Sequence, residues 1–141
     1  MNRTTRATVI TALIAAAVSA LAGTSVAVAE IEIHRTQSVR YASAGVNPEE
    51  IKEMQKLAPR FPIQLYFRVE GGETPVSGVN VTVRDVQGDI VLEAQSEGSM
   101  FFVDADSGRY TIEAEYAGET LSETKDLTGR RYLRIKYRFN E

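Results

Sequence analysis

Between residues 61 and 139 apolar side chains recur at every second position, in short runs separated by turn residues. A period of two is the period of the strand pleat, so each run has one face for a core and one for water. Phe61, Ile63, Leu65, Phe67 and Val69 alternate with Pro62, Gln64, Tyr66, Arg68 and Glu70, and Gly71-Gly72-Glu73-Thr74-Pro75 follows as a loop. Val79, Val81 and Val83 then alternate with Asn80, Thr82 and Arg84. Asp85-Val86-Gln87-Gly88 reads as a hairpin turn in which Gly88 supplies a positive φ, and Ile90, Leu92 and Ala94 make the return strand. A short apolar run at 100–103, an alternating run at 110–116, a weaker run at 120–127 and a final run at 133–139 complete the series. These are seven predicted strands, spaced by turn signals at roughly the 8–12 residues expected of a sandwich. No helical run separates them, so the sheets are expected to be mostly antiparallel.

Upstream of the strands lies one predicted helix, over 47–58. Asn47 is a good N-cap, Pro48 suits the first helical position, and Glu50 stands three residues after the cap, as a capping box requires. Ile51, Met54, Leu57 and Ala58 share one face, and Pro59 ends the run. The stripe is expected to cover an end of the sandwich, since an amphipathic face usually packs on its own core rather than on a partner. Residues 30–46 carry brief alternation at Ile31 and Ile33 and then turn polar, the pattern of an extended, partly mobile lead-in.

The first 29 residues read as a cleavable signal peptide. Arg3 and Arg6 precede an apolar run over 9–22, and Ala27-Val28-Ala29 offers the small-x-small site, placing cleavage between Ala29 and Glu30. Ala20-Leu21-Ala22 supplies a second possible site. The apolar run spans 14 residues, short of the ~20 that a spanning helix needs, so no membrane insertion is expected after cleavage. The chain has no cysteine, which excludes a lipid-modified terminus and a disulfide framework and leaves stability to the hydrophobic core. Removing residues 1–29 takes two of the 16 basic residues and none of the 19 acidic ones, leaving 14 against 19 and a net charge of −5. That balance argues against nucleic acid as a partner. The composition fits a periplasmic or secreted protein of a Gram-negative bacterium.

The region 75–127 resembles the carboxypeptidase regulatory-like domain. The residues that carry the likeness are Val76-x-Gly78-Val79-x-Val81-x-Val83-x-Asp85-x-x-Gly88, Gly98-x-x-Phe101-Phe102-Val103, Gly108-Arg109-Tyr110-Thr111 and Gly118. The turn before Gly-Arg-Tyr usually carries proline in that family and here reads Asp104-Ala105-Asp106-Ser107. Gly45-Val46, Glu49, Glu50, Met54 and Phe61-Pro62-Ile63-x-Leu65-x-Phe67 look like the small exported proteobacterial members that carry the domain alone. The resemblance implies an all-β, seven-stranded antiparallel transthyretin-like (prealbumin-like) sandwich over residues 61–140. It also implies a module that cleaves nothing itself.

Little in the chain supports catalysis. His34 is the single histidine and falls outside the predicted sandwich, so neither a Ser-His nor a Cys-His pair can form within it. Hydroxyisourate hydrolases share the transthyretin-like fold but rely on histidines and a C-terminal Tyr-Arg-Gly-Ser, whereas this chain has Tyr137-Arg138-Phe139-Asn140. No catalytic residue, metal site or cofactor is expected. Asp104-x-Asp106-x-Gly108 has part of a calcium-loop pattern, but its glycine stands fifth and strand residues follow, so it reads as a β-turn whose aspartates cap local amides.

The remaining candidate is the last strand, where Tyr132, Arg134, Lys136 and Arg138 share the outward face after Arg130 and Arg131. If that strand neighbours the one bearing Glu113 and Glu115, a ladder of opposite charges results, and this is the expected outcome. If it does not, a cationic stripe is exposed to an acidic protein or polysaccharide. The expected function is non-catalytic: a protein-binding or scaffolding module of the bacterial envelope. A carbohydrate-binding module recognising an envelope polysaccharide is the alternative, although it would need a row of outward aromatics. Only Tyr66, Tyr132 and one of Phe101 or Phe102 are expected outside.

Overall fold

The computed structural model describes residues 30–36, 39–72 and 75–140; the expected signal peptide lies outside them. Nine strands form two sheets, two strands more than the periodicity predicted. The first sheet has the order β1-β2-β6-β3-β9, built from β1 (Ile33–Arg35), β2 (Arg40–Ala44), β3 (Ile63–Val69), β6 (Met100–Asp104) and β9 (Leu133–Phe139). The second has the order β5-β4-β7-β8, built from β4 (Asn80–Arg84), β5 (Ile90–Gln95), β7 (Arg109–Tyr116) and β8 (Glu119–Asp126). Every pairing is antiparallel except β3 with β9, which run parallel from Ile63↔Leu133 to Val69↔Phe139. The parallel pair is possible because all of β4 to β8 intervenes, which is ample length for the crossover that parallel strands need.

The two extra strands, β1 and β2, lie in the segment expected to be a mobile lead-in. β2 reads Arg-Tyr-Ala-Ser-Ala, too small and polar to signal a strand, yet Ala42, Ser43 and Ala44 are buried. Their small size is what the site demands. Ala42 and Ala44 lie beneath the helix, and the β5–β6 turn presses so close that a Cβ on Gly98 would lie 2.2 Å from the carbonyl carbon of Ala44. The Ser43 hydroxyl donates to the Met100 carbonyl (2.8 Å) and accepts from the Glu97 N–H (2.8 Å), which ties this turn to β2.

The alternation elsewhere is realised residue by residue. Ile63, Leu65 and Phe67 of β3, Leu133, Ile135, Tyr137 and Phe139 of β9, and Phe101 and Val103 of β6 meet Val81, Val83, Leu92, Ile112 and Ala114 of the opposing sheet in one buried core. Gly88 takes φ +88° in the β4–β5 hairpin, the left-handed geometry its turn requires. Its neighbour Asp85 accepts from the Gln87 and Asp89 N–H groups at 2.9 and 3.0 Å.

Helix α1 (Pro48–Leu57) starts as expected. The Asn47 side chain accepts from the Glu50 N–H at 2.9 Å. Glu50 reaches further back than a capping box would, accepting from the N–H groups of Gly45 (2.9 Å) and Val46 (3.1 Å). A 3₁₀ turn, Ala58–Arg60, carries Pro59 and delivers the chain to β3. The helix does not cap an end of the sandwich. It lies over the outer face of the five-stranded sheet, where Met54 packs with Ala42, Ala44, Phe61, Met100 and Phe102 in a second core. Phe101 and Phe102 are therefore both fully buried, on opposite sides of β6, and neither is outward.

Candidate functional site

The predicted interaction stripe lies on the outer face of β9. Leu133, Ile135, Tyr137 and Phe139 turn into the core, and Arg134, Lys136 and Arg138 are exposed between them. The expected ladder with Glu113 and Glu115 does not form, because β7 lies in the other sheet, between β4 and β8, while β9 lies beside β3. There the two glutamates are matched by β4 instead. Arg84 Nε donates to Glu113 Oε1 at 3.1 Å, and Asn80 Nδ2 donates to Glu115 Oε1 at 3.3 Å. Alternation reveals which side chains share a face of a strand, but not which sheet receives that strand.

The parallel register places Gln64 beside Arg134, Tyr66 beside Lys136 and Arg68 beside Arg138 on one outer face. Four cations, Arg68, Arg134, Lys136 and Arg138, thus occupy two adjacent strands. Glu70 meets this group, 3.2 Å from Arg138 Nε. Lys136 and Arg68 make no ion pair among the described residues. Arg134 is held in place: its Nε donates to Gln64 Oε1 at 2.9 Å, and its guanidinium lies 5.6 Å from the Tyr132 ring centroid, within cation–π range.

Gln64 is the residue that sequence reasoning passed over. It stands at an outward position of β3 yet is 1% exposed. Its Nε2 donates to the carbonyls of Ala58 (2.8 Å) and Phe61 (3.1 Å), and its Oε1 also accepts from the Tyr66 hydroxyl (3.3 Å). One buried amide thereby joins the end of α1 to the cationic stripe, with every polar atom satisfied. Tyr66 marks the boundary. It leans edge-on against Phe102 (5.8 Å) on the helix side and faces the cations on the other. Burial raises its phenol pKa above the usual tyrosine value, against the opposing pull of the Arg134 charge.

His34 is not outside the fold as expected. It sits in β1, its Nδ1 3.2 Å from Glu32 and its Nε2 3.0 Å from Glu97, with its ring stacked on Tyr41 (4.8 Å), which itself stacks on Phe101 (5.1 Å). The imidazole clamps β1 to the β5–β6 turn. Nor do the aspartates of the 104–108 turn both cap local amides: Asp104 ion-pairs with Arg40 across the β2–β6 ladder, and Asp106 offers its backbone carbonyl to the Tyr110 hydroxyl at 2.7 Å.

The outer face of the four-stranded sheet carries an open depression of about 580 Å³, floored by Asn80, Arg84, Gln95, Glu113 and Glu115. Beside the Arg84–Glu113 pair, Gln95 Nε2 donates to Asn80 Oδ1 at 3.4 Å and so joins the group of Asn80 and Glu115, and Glu93 also lines the depression. No aromatic side chain lines it, so it offers no stacking platform for a sugar ring. No protein-family model matches the chain, and no curated protein matches it either.

Proposed function

We propose that this chain is a non-catalytic binding module of the bacterial envelope, periplasmic or secreted, built on a carboxypeptidase regulatory-like, transthyretin-like sandwich. In this reading it holds a protein partner through the outer face of β3 and β9. The observation that carries the reading is the charge imbalance of that face. In a chain whose residues beyond position 29 sum to −5, four cations stand together on two adjacent strands against one glutamate among the described residues. Like charges on neighbouring strands destabilise a sheet, so an arrangement that concentrates them calls for a compensating acidic surface. The absence of a cysteine and the placement of the single histidine in a structural clamp favour recognition over catalysis.

Affinity capture from periplasmic extract, with the wild-type chain and a Lys136→Glu/Arg138→Glu double variant as baits, tests this reading, with a glycan array run alongside. A protein retained by the wild type and lost by the variant supports it. Identical captures by both baits refute the stripe as the binding surface. Charge-dependent binding to an acidic glycan without any protein capture transfers the role to the polysaccharide alternative, for which partly exposed Tyr132 would be the single stacking ring.

A further inference from the structure

The geometry points to β9 as the docking edge for an acidic, extended polypeptide segment that adds to the five-stranded sheet as a sixth strand. This inference rests on the binding reading above and deepens it. β9 ends its sheet: β3 pairs with it on one side, and among the described residues no strand is paired on the other, where Glu119 of β8 accepts from the Asn140 N–H just past the end of β9 (2.8 Å). The Leu133 N–H donates to the Pro62 carbonyl, and the Phe139 carbonyl accepts from the Glu70 N–H, both at 2.7 Å. The odd-numbered residues of β9 therefore aim their backbone groups at β3. By the alternation of a strand, the N–H and C=O groups of Arg134, Lys136 and Arg138 face the open rim. The same three residues project their side chains onto the cationic face. A strand added at this rim would place every second side chain roughly 5 Å from them, so a segment with carboxylates at alternate positions matches both backbone and charge.

A polypeptide fits this rim better than a polysaccharide, because only a peptide backbone returns a ladder of alternating donors and acceptors. A second copy of β9 does not fit, since an antiparallel pairing would set Arg134, Lys136 and Arg138 against their own kind. β8, an edge of the other sheet, shows the contrast. On β8, Glu123 and Lys125 lie opposite Ile112 and Tyr110, on the core side of the sheet, where both stay exposed and put charge in place of the apolar residues an added strand would need. β9 has buried apolar residues at all its inward positions, and its charges select a partner by sign rather than repel every strand.

The test is fluorescence anisotropy of a labelled alternating glutamate–valine peptide of about eight residues titrated with the purified chain. Saturable binding is expected that weakens with salt, falls about tenfold or more on Lys136→Glu or Arg138→Glu, and is lost when alternate peptide amides are N-methylated. Unchanged melting temperatures would show that both variants remain folded, and Lys136→Ala serves as a milder replacement if either is not. Equal binding of the N-methylated peptide would overturn strand addition while leaving a charge-reading surface intact. Binding of polygalacturonate in place of the peptide would overturn both the edge docking and the protein partner. If neither binds, edge docking is wrong, and the captures described above then decide separately whether the broader reading survives.

Discussion

On the outer face of the four-stranded sheet, Arg84 meets Glu113 at 3.1 Å, and Gln95, Asn80 and Glu115 form a second hydrogen-bonded group beside them. The outer face of the five-stranded sheet is divided differently. One half is dry, with Met54 of α1 and Phe102 of β6 fully buried against each other, and the other half is a group of cations with one glutamate among the described residues. On β3, β4, β7 and β9 both faces are built from the polar positions of alternating strands, so periodicity treats them alike there. The difference lies in what covers them. A helix laid on a sheet face converts its small and apolar outward residues into a second core, and it ends at Tyr66 and Gln64, leaving the adjoining strand pair bare. An uncovered face can pair part of its charge internally, as Arg84 and Glu113 do, or leave it for another molecule.

The strongest way to break this comparison is to remove the dry half. Phe102→Ala should cost about 3–5 kcal/mol, the range for a fully buried aromatic, read by urea denaturation, whereas Thr82→Ala on the opposite outer face should stay within about 0.5 kcal/mol. Equal losses at the two positions would mean that α1 contributes no second core. Gly98→Ala attacks the same half through the backbone. Its Cβ cannot fit against Ala44, so a loss of about 1–3 kcal/mol is expected. Hydrogen-exchange protection should fall in β2 and α1 before it falls in β4 and β7.

The core side of β9 sharpens the contrast with its charged side. Tyr137 is buried, donates to the Ile112 carbonyl at 3.1 Å, and has its phenol pKa raised well above the ordinary value, by burial first and the Glu123 charge second. Because the folded pKa exceeds the unfolded one, this tyrosine contributes stability in full below about pH 10 and loses it as pH rises further, the unfolded chain ionising first. Tyr137→Phe should cost about 1 kcal/mol at neutral pH and flatten the alkaline loss of stability, as followed by melting temperature against pH. The smallest effects belong to the exposed charges. A double-mutant cycle on Arg84 and Glu113 should give about 0.2–1 kcal/mol of coupling. Lys136→Ala, with no ion pair to lose among the described residues, should leave stability within about 0.5 kcal/mol, and a larger loss would make Lys136 a structural residue rather than a binding one.

Strands such as β4, β7 and β9 were legible because each buries a face whose residues alternate: Val79, Val81 and Val83 or Leu133, Ile135 and Tyr137 read as strand in any context, whereas β6 was legible as a short apolar run and β8 by the turns around it. β1 and β2 were not, because Arg40–Ala44 owes its strand to neighbours. Its alanines matter only where Met54 and Gly98 crowd them. His34 was misplaced for the same reason, since its place in the fold depends on Glu97, 63 residues away in the chain. Of the candidate surface, Arg134, Lys136 and Arg138 were identifiable as one face of one strand. Arg68 and Gln64 joined it only through the parallel register with β3, a pairing between residues 70 positions apart.

By itself the amino-acid sequence determined the local and one-dimensional properties of this protein: strand periods, turn glycines, the Asn47 cap, the acidic net charge and the lack of cysteine. These follow from short-range sterics and from counting, and they need no partner strand. Tertiary structure decided which strands meet, that α1 lies on a face rather than at an end, and that β9 runs parallel to β3 instead of answering Glu113 and Glu115. Those outcomes depend on how two apolar faces close over one core, and that closure left the cations of β9 exposed at an open edge.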